Sequence, residues 1–454
     1  MSKPLITLVL SITFLSAFSQ QDSLLKNFKY RIDHYQAINF TVGGAGSLNN
    51  FDDGVHSIDN HSSGGNFGGN FYSVKSTGRI LLTTTANLGT SLSTDKSTSS
   101  GITNKNTTLS VAPGITVLNK WFSKNKFTEL GAELYSYGYS NKISSDGAQY
   151  SSNKQGQYNI VLNTGIGKGR LENVTDMQNA LWLSKALTTE NTLSRSLSDE
   201  ELNELGRTIT KANNTRVLDA RKRTQFMLET VDNYLQQKGL INKTDIRYFS
   251  NLNDILFFAF NSPRLSGTEK FIRLKPGISA YGTRQKQSYN VSKSDHLATS
   301  KSLALSTGIN KYNPTNLVHQ NNYGAAVILS YNSLDFTEKY TAAGSTPMNA
   351  KTNTILKQAG VNLFYEHAIY PNTRTTINFN LQAQAGYQAQ ETVTSFYHST
   401  NLAGSVNYFI SYRTRLTCSV GTVYQQNVYN TSPYLYLSPS NFQLYASAGI
   451  GISL

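Results

Sequence analysis

Cysteine is nearly missing from this sequence: Cys418 is the only one among 454 residues. That excludes an internal disulfide and any cysteine-cluster metal site. Charged residues are scarce at 15%, and apolar residues reach only 38%, both below the soluble average. No apolar run has the length of a membrane helix; Ile255–Phe260 is the strongest after the leader and is far too short. A coiled coil, a helical membrane protein and a charge-rich disordered chain are thereby excluded. What fills the gap is Ser, Thr, Asn and Gln, together with 33 Gly and 27 Tyr.

Residues 1–19 read as a secretory signal. Lys3 supplies the positive start, Leu5 to Phe14 the apolar core, and Ala17 and Ser19 the small residues before a cut ahead of Gln20. The stretch is too short to span a membrane comfortably. No Cys follows the cut, so lipid attachment there is excluded.

The rest of the chain alternates. Leu444, Ala446, Ala448, Ile450, Ile452 and Leu454 share one parity; Gln443, Tyr445, Ser447, Gly449, Gly451 and Ser453 share the other. Ile377 to Tyr387, Leu402 to Ile410, Tyr323 to Tyr331 and Ile80 to Leu92 repeat the pattern, as do Leu109, Val111, Ile115 and Val117. A soluble sandwich alternates too. Here the runs are long and the polar faces carry Asn, Gln, Ser and Thr instead of charge. Both features suit strands with lipid on one side and water on the other. The expected fold class is all-β membrane: an antiparallel transmembrane β-barrel of about 14 strands, within a range of about 12–16, with an α-helical insert. Short links near Lys75–Gly78, Lys120–Lys126, Tyr370–Asn372 and Ser411–Tyr412 alternate with longer polar loops near Ser47–Gly65, Ser93–Asn104, Asn141–Gln155, Thr337–Thr352 and Asn430–Ser440. Short turns belong on the periplasmic side of such barrels and long loops outside.

Composition changes after Gly169. Residues 172–262 hold 12 acidic and 11 basic residues, so the positive balance lies in the flanking barrel parts, 20–171 and 263–454. Thr175 with Gln178, and Ser198 with Glu201, have capping-box spacing. Leu202, Leu205 and Ile209 recur at helical spacing. A longer helix is expected over 216–238, with Val217, Leu218, Leu228, Val231 and Leu235 inward and Gly239 ending it. Another short helix is expected after Thr244. By strand parity this insert is periplasmic; a bundle there is favoured over a lumen plug, and a docking site for a partner is the third placement. The run from Gly165 to Asp176, followed by helices with Ser198-Asp199-Glu200-Glu201-Leu202 and Asp219-Ala220-Arg221, resembles a group of uncharacterised Bacteroidetes outer-membrane β-barrel proteins. In that group a strand ends in a Gly-rich, basic turn and enters a helical insertion. The resemblance implies location and topology, with no activity to carry over.

Several residues are candidate sites. Arg79, Arg273, Lys275, Arg374, Arg413 and Arg415 each follow an expected periplasmic turn, and Glu129, Glu133 and Glu366 are the matching inward acids. A ring of fixed positive charge would favour anionic solutes; it would equally neutralise Glu200, Glu201 and Glu204 of the insert, or merely keep strand ends in water. In the first outer loop, Asp52, Asp53 and His56, with Asp59 and His61, are weak candidates for a metal or acid/base pair. His367 and His398 lie among many serines, the raw material of a membrane-embedded hydrolase. Gly165-x-Gly-x-Gly lacks the P-loop ending and the dinucleotide spacing, and reads as a tight exit turn. Tyr135, Tyr137, Tyr139, Tyr408, Tyr412, Tyr434 and Tyr436 are girdle or pore-mouth candidates. Cys418 is in register with Leu416 and Val420 and should face lipid.

The expected role is an outer-membrane pore or transport component without enzymatic activity, cofactor or metal. Its partners would be outer-membrane lipid, small solutes and a periplasmic or envelope protein at the insert; nucleic acid is excluded by location. The alternatives are a structural or assembly anchor and, less favoured, a surface hydrolase.

Overall fold

The computed structural model describes residues 21–52, 57–99, 102–146, 148–217, 219–258, 263–287, 292–342, 346–390, 393–411, 414–431, 434–437 and 440–452. The expected signal segment, Asp53, His56, Leu218, Tyr412 and Arg413 lie outside them.

Thirteen long strands follow one another in sequence order, each antiparallel to the next: β1 (Ile32–Asp52), β2 (Ser57–Ser76), β3 (Ile80–Ser99), β4 (Ile102–Ser123), β5 (Lys126–Ser145), β6 (Ala148–Asn173), β7 (Leu265–Gln287), β8 (Ser292–Pro314), β9 (His319–Thr341), β10 (Met348–Asn372), β11 (Thr375–Gln390), β12 (Val393–Ser411) and β13 (Thr414–Thr431). β14 (Tyr434–Leu437) and β15 (Asn441–Ile452) both pair with β13, β14 at Val428–Thr431 and β15 at Thr414–Gln425. They occupy one strand position between them, so the sheet has 14 positions. The expected fold class is met in strand number, order and direction, with the helical insert between β6 and β7. Among the described residues β1 pairs only with β2 and β15 only with β13, so no ladder joins the first strand to the last.

The strands are longer than the sequence pattern suggests. β1 to β4 have 21, 20, 20 and 22 residues, about twice the 9–11 needed to cross a bilayer. The expected outer loops are mostly ladder: β1 pairs with β2 up to Asp52 opposite Ser57, β3 with β4 up to Ser99 opposite Ile102, and β5 with β6 up to Ser145 opposite Ala148. Ser, Thr and Asn keep the backbone bonds without supplying an apolar face, so the strands continue where the alternation stops.

The apolar parity faces outward. Leu130, Leu162, Ile272 and Leu402 are each half exposed or more. An uncovered apolar face of this extent exceeds what a water-soluble monomer carries. The compact core lies elsewhere, in the helices. These are α1 (Gln21–Asn27), α2 (Thr175–Thr189), α3 (Asp199–Asn214), α4 (Ala220–Gln237) and α5 (Ile246–Phe258). Their buried residues form one cluster running from Leu24, Leu25 and Phe28 through Met177, Leu205, Ile209, Val231 and Leu252 to Leu317, in the β8–β9 turn. Helix α1 had no counterpart in the sequence reading. Gly206 of α3 makes room for it: a Cβ there would lie 3.0 Å from the Phe28 ring.

Local signals explain most helix ends. Ser198 and Glu201 form the expected capping box on α3. Asp219 caps α4, accepting from Arg221 N, and Gly239 ends it with φ +62°. The capping box expected at Thr175 does not form. Val174 holds the N-cap position without a side-chain bond, and the Thr175 hydroxyl instead accepts from Arg264 N at 2.9 Å.

Candidate functional site

The inner face of the sheet, near the end that carries the insert, holds a closed group of four charges. Lys120 on β4, Glu129 on β5 and Glu269 on β7 are buried, and Arg273 on β7 joins them. Lys120 Nζ lies 2.6 Å from Glu269 and 3.5 Å from Glu129, while Arg273 bonds Glu129 through Nε and Glu269 through Nη2 at 2.6 Å. Lys120 and Glu269 stand three strands apart, roughly 14 Å along a flat sheet. Two long side chains and a concave inner face close that distance. Each acid meets both bases, so the group is neutral and no carboxylate is left buried alone, the arrangement that would be costly.

Strand β6 runs beneath this group, and its glycines make it possible. Gly165 pairs with Glu129 on one side and Arg273 on the other. A Cβ there would stand 2.8 Å from Glu129 Oε1 and 3.0 Å from Arg273 Cγ. Gly167 gives the same clearance to the Phe127 ring, over which Lys120 Nζ sits 4.8 Å from the centroid. The Gly165-x-Gly-x-Gly run is therefore strand, and the exit-turn reading is corrected. Only Gly169, with φ +96°, needs backbone freedom of its own.

Three ties gather at the strand ends beside the helices, and one of them reaches a helix. Arg31, just before β1, donates to Glu172 at the end of β6, with Nη1–Oε2 at 2.8 Å. Arg264, fully buried, donates to the Leu317 and His319 carbonyls and to Gln320 Oε1, each at 2.8 Å, and to the Asn316 carbonyl. Gln320 passes the contact on to Asn322, which donates to Glu366 at 2.8 Å. Arg374, in the β10–β11 turn, pairs with Asp254 of α5. Within the bundle, Tyr248 donates to Asp232 at 2.8 Å and Tyr234 to the Glu201 carbonyl at 2.8 Å. Burial, then the facing Asp232 carboxylate, pushes the Tyr248 hydroxyl well above its ordinary range. Burial lifts the Asp176 carboxyl to about 6, against the hydrogen bonds it accepts from Thr210 and Asn213.

Two of the candidate rim cations stand in ion pairs, Arg273 with the inward acid Glu129 and Arg374 with Asp254 of the insert. Arg79 is exposed in the β2–β3 turn, where its carbonyl accepts from Phe122 N. Lys275 shares the inner face with Arg273, and Arg415 is half-buried on β13. Glu133 is exposed on the same face as Glu129. Glu201 and Glu204 are matched inside the insert, by Arg195 and Lys238; Glu200 accepts from the Ser198 hydroxyl. Arg195 and the Ser198 N–H hold the Glu201 carboxyl down to about 2.

Asp52 ends β1 opposite Ser57, and Asp59 contacts His61 at 2.9 Å on β2. Among the described residues no three His, Cys, Asp or Glu side chains converge as a metal site would require. His367 stacks on His319 and bonds Asn321, and His398 bonds Thr400. A serine–histidine contact forms elsewhere: Ser294 Oγ lies 2.7 Å from His296 Nε2, with Glu338 3.6 Å from His296 Nδ1. Strand β8 is paired on both sides there, so its backbone N–H groups are committed to ladders and not turned toward an oxyanion. Tyr135, Tyr137 and Tyr139 share the inner parity with Glu129, which places them in the interior and not on an outer girdle; Tyr137 and Tyr139 stack at 6.5 Å. Tyr408 and Cys418 are exposed on the apolar parity.

No family model and no curated protein matches the chain. Solved structures with some likeness are bacterial outer-membrane proteins. The translocator domain of autotransporter NalP from Neisseria meningitidis is 10% identical, with 84% of this chain and 90% of that one covered and a TM-score of 0.27. The transport unit of autotransporter AIDA-I from Escherichia coli is 12% identical, with 89% and 96% covered and a TM-score of 0.24. The ferric yersiniabactin uptake receptor FyuA from Yersinia pestis is 7% identical, with 92% and 72% covered and a TM-score of 0.31. Scores this low carry no argument about role, and the fold stands on the strand pairings.

Proposed function

We propose that the chain is a pore or transport component of a Gram-negative outer membrane, exported by its signal segment, acting without catalysis. The helical bundle then lies on the periplasmic side across the mouth of the barrel. The observation that supports this is the spacing of the three ties. Arg374 with Asp254 joins α5 to the β10–β11 turn, Leu317 of the β8–β9 turn packs into the helices' core, and Arg31 with Glu172 and Arg264 with the β8–β9 turn tie together the strand ends where the chain enters β1, leaves β6 and enters β7. Contacts spread around the rim suit a cover over the opening better than a domain hanging from one edge. The inner face offers Asn, Gln, Ser and Tyr to water, and Lys275 and Arg415 carry what fixed positive charge faces a solute.

Planar-bilayer conductance tests the reading. Wild-type protein should open rarely or to a small level. Arg31→Gln with Arg374→Gln, which loosens two ties, should open several times more often. Silence from both, and from protein lacking the insert, would remove the pore. A second reading, an anchor for an envelope partner, draws on α5: Ile246 is 85% exposed and Phe249 lies half exposed one turn on. In-cell crosslinking from position 246 would capture a reproducible periplasmic or envelope protein if that reading holds.

A further inference from the structure

Lys126, Lys168 and Lys270 stand in one row across three adjacent strands. Lys126 is the register partner of Lys168, and Lys168 of Lys270. All three are exposed on the outer, apolar parity, at the end that carries the insert. Like charges directly opposite one another destabilise a strand pair, and here two such pairs are consecutive. Among the described residues the side chain of none of the three makes an ion pair or hydrogen bond. The acids of this region, Glu129 and Glu269, point to the other face and are already matched.

Beside the row lies an open, shallow depression of about 1070 Å³ on the outer face, lined by the three lysines and by Trp121, Ile166, Ile272, Ile309 and Val327. Trp121 is 41% exposed and Ile166 59% exposed. Aromatic and basic residues mark the headgroup level of a membrane, with apolar residues inward of them. Here a band of positive charge adjoins exposed apolar residues of the same face, Ile166 and Ile272 among them.

We propose that this row and depression bind one anionic phospholipid, its phosphodiester on Lys126, Lys168 and Lys270 and an acyl chain along Ile166, Ile272 and Val327. The site rests on the membrane reading given above. On the insert side, the phospholipid-bearing leaflet supplies the ligand. The bound anion relieves the repulsion that the register imposes.

The test uses full-length protein in zwitterionic detergent, titrated with dihexanoyl-phosphatidylglycerol or, at equal concentration, dihexanoyl-phosphatidylcholine. The readouts are the unfolding temperature and lipid retention in native mass spectrometry. The wild type should be stabilised by the glycerol lipid alone and should retain it. Lys126→Gln with Lys168→Gln and Lys270→Gln should weaken that binding at least about tenfold. Lys168→Gln alone, which keeps two charges, should weaken it less, and the triple arginine replacement should keep it. Should the triple glutamine variant not fold, the single variant carries the comparison. Equal retention by wild type and glutamine variants would overturn the site, and so would equal stabilisation by inorganic phosphate, which has no chain to lie in the depression. Failure of the wild type to fold into phosphatidylcholine vesicles would remove the membrane reading and this site with it. Folding there without preference for the anionic lipid would overturn the site alone.

Discussion

Glu129 and Arg273 form an ion pair across an intervening strand, because the residue between them, Gly165, has no side chain. The pair joins β5 to β7 over β6 and pins the inner face at the end where the bundle sits.

Gly165→Ala should break this arrangement. The new Cβ would lie 2.8 Å from Glu129 Oε1 and 2.9 Å from the Ile272 carbonyl, so backbone as well as side chain must shift. The expected loss is about 1–3 kcal/mol, read as a lower unfolding temperature in detergent. Glu129→Gln and Arg273→Gln should be non-additive, with a coupling of about 0.5–3 kcal/mol. Additive effects would mean the pair contributes nothing.

Asp176 sets a pH dependence in the bundle. Its folded value, about 6, lies above the ordinary 3.8, so the native state holds the proton more tightly than the unfolded chain. The contribution is full below pH 3.8, declines as pH rises toward 6 and is absent above. The range corresponds to about 2–3 kcal/mol. Asp176→Asn should flatten this part of the profile and stabilise the protein at pH 8 by about 1–2 kcal/mol. Parallel stability profiles for the two proteins between pH 4 and 7 would refute the assignment.

The two expected capping boxes should respond differently. Ser198→Ala removes a formed cap and should cost about 1 kcal/mol, with fraying at the start of α3 visible in hydrogen exchange. Thr175→Ala removes no cap. Its effect should appear at Arg264, whose backbone N–H loses its acceptor, while exchange in α2 stays unchanged.

A membrane-embedded sheet cannot leave the outer edges of β1 and β15 unpaired, because lipid offers no hydrogen bonds. The two strands run antiparallel, as closure of an even number of positions requires. In a Cys418→Ser background, cysteines at Phe40 or Val42 combined with cysteines at Ala446 or Ala448 should yield at least one oxidised crosslink in the folded membrane form. Absence of any crosslink across the set would leave the edges apart.

The wall was legible because a lipid-facing strand writes its two sides into alternate residues, as Leu444 to Ile452 do. Strand length was not, because Ser47 to Asn50 and Thr94 to Ser99 extend the ladder without an apolar face to advertise it. The helices announced themselves through Ser198, Glu201 and Gly239. Thr175 misled because its hydroxyl had a better partner 89 residues away. The candidate cations and their matching acids were legible as residue types, but nothing in the spacing of Arg273 and Glu129 shows that Gly165 lets them touch. Nor does local sequence show Lys126, Lys168 and Lys270 to be one row, since register across three strands is a tertiary property.

Leu317 belongs to a turn between two strands, yet its side chain completes the core that Leu24 and Leu25 begin. The bundle's interior thus draws on chain from both ends of a segment almost three hundred residues long. Residues 21–258 without the β8–β9 turn leave one side of that core uncovered. The helices and the wall thus share one closing contact, so a change in the β8–β9 turn reaches the interior of the bundle.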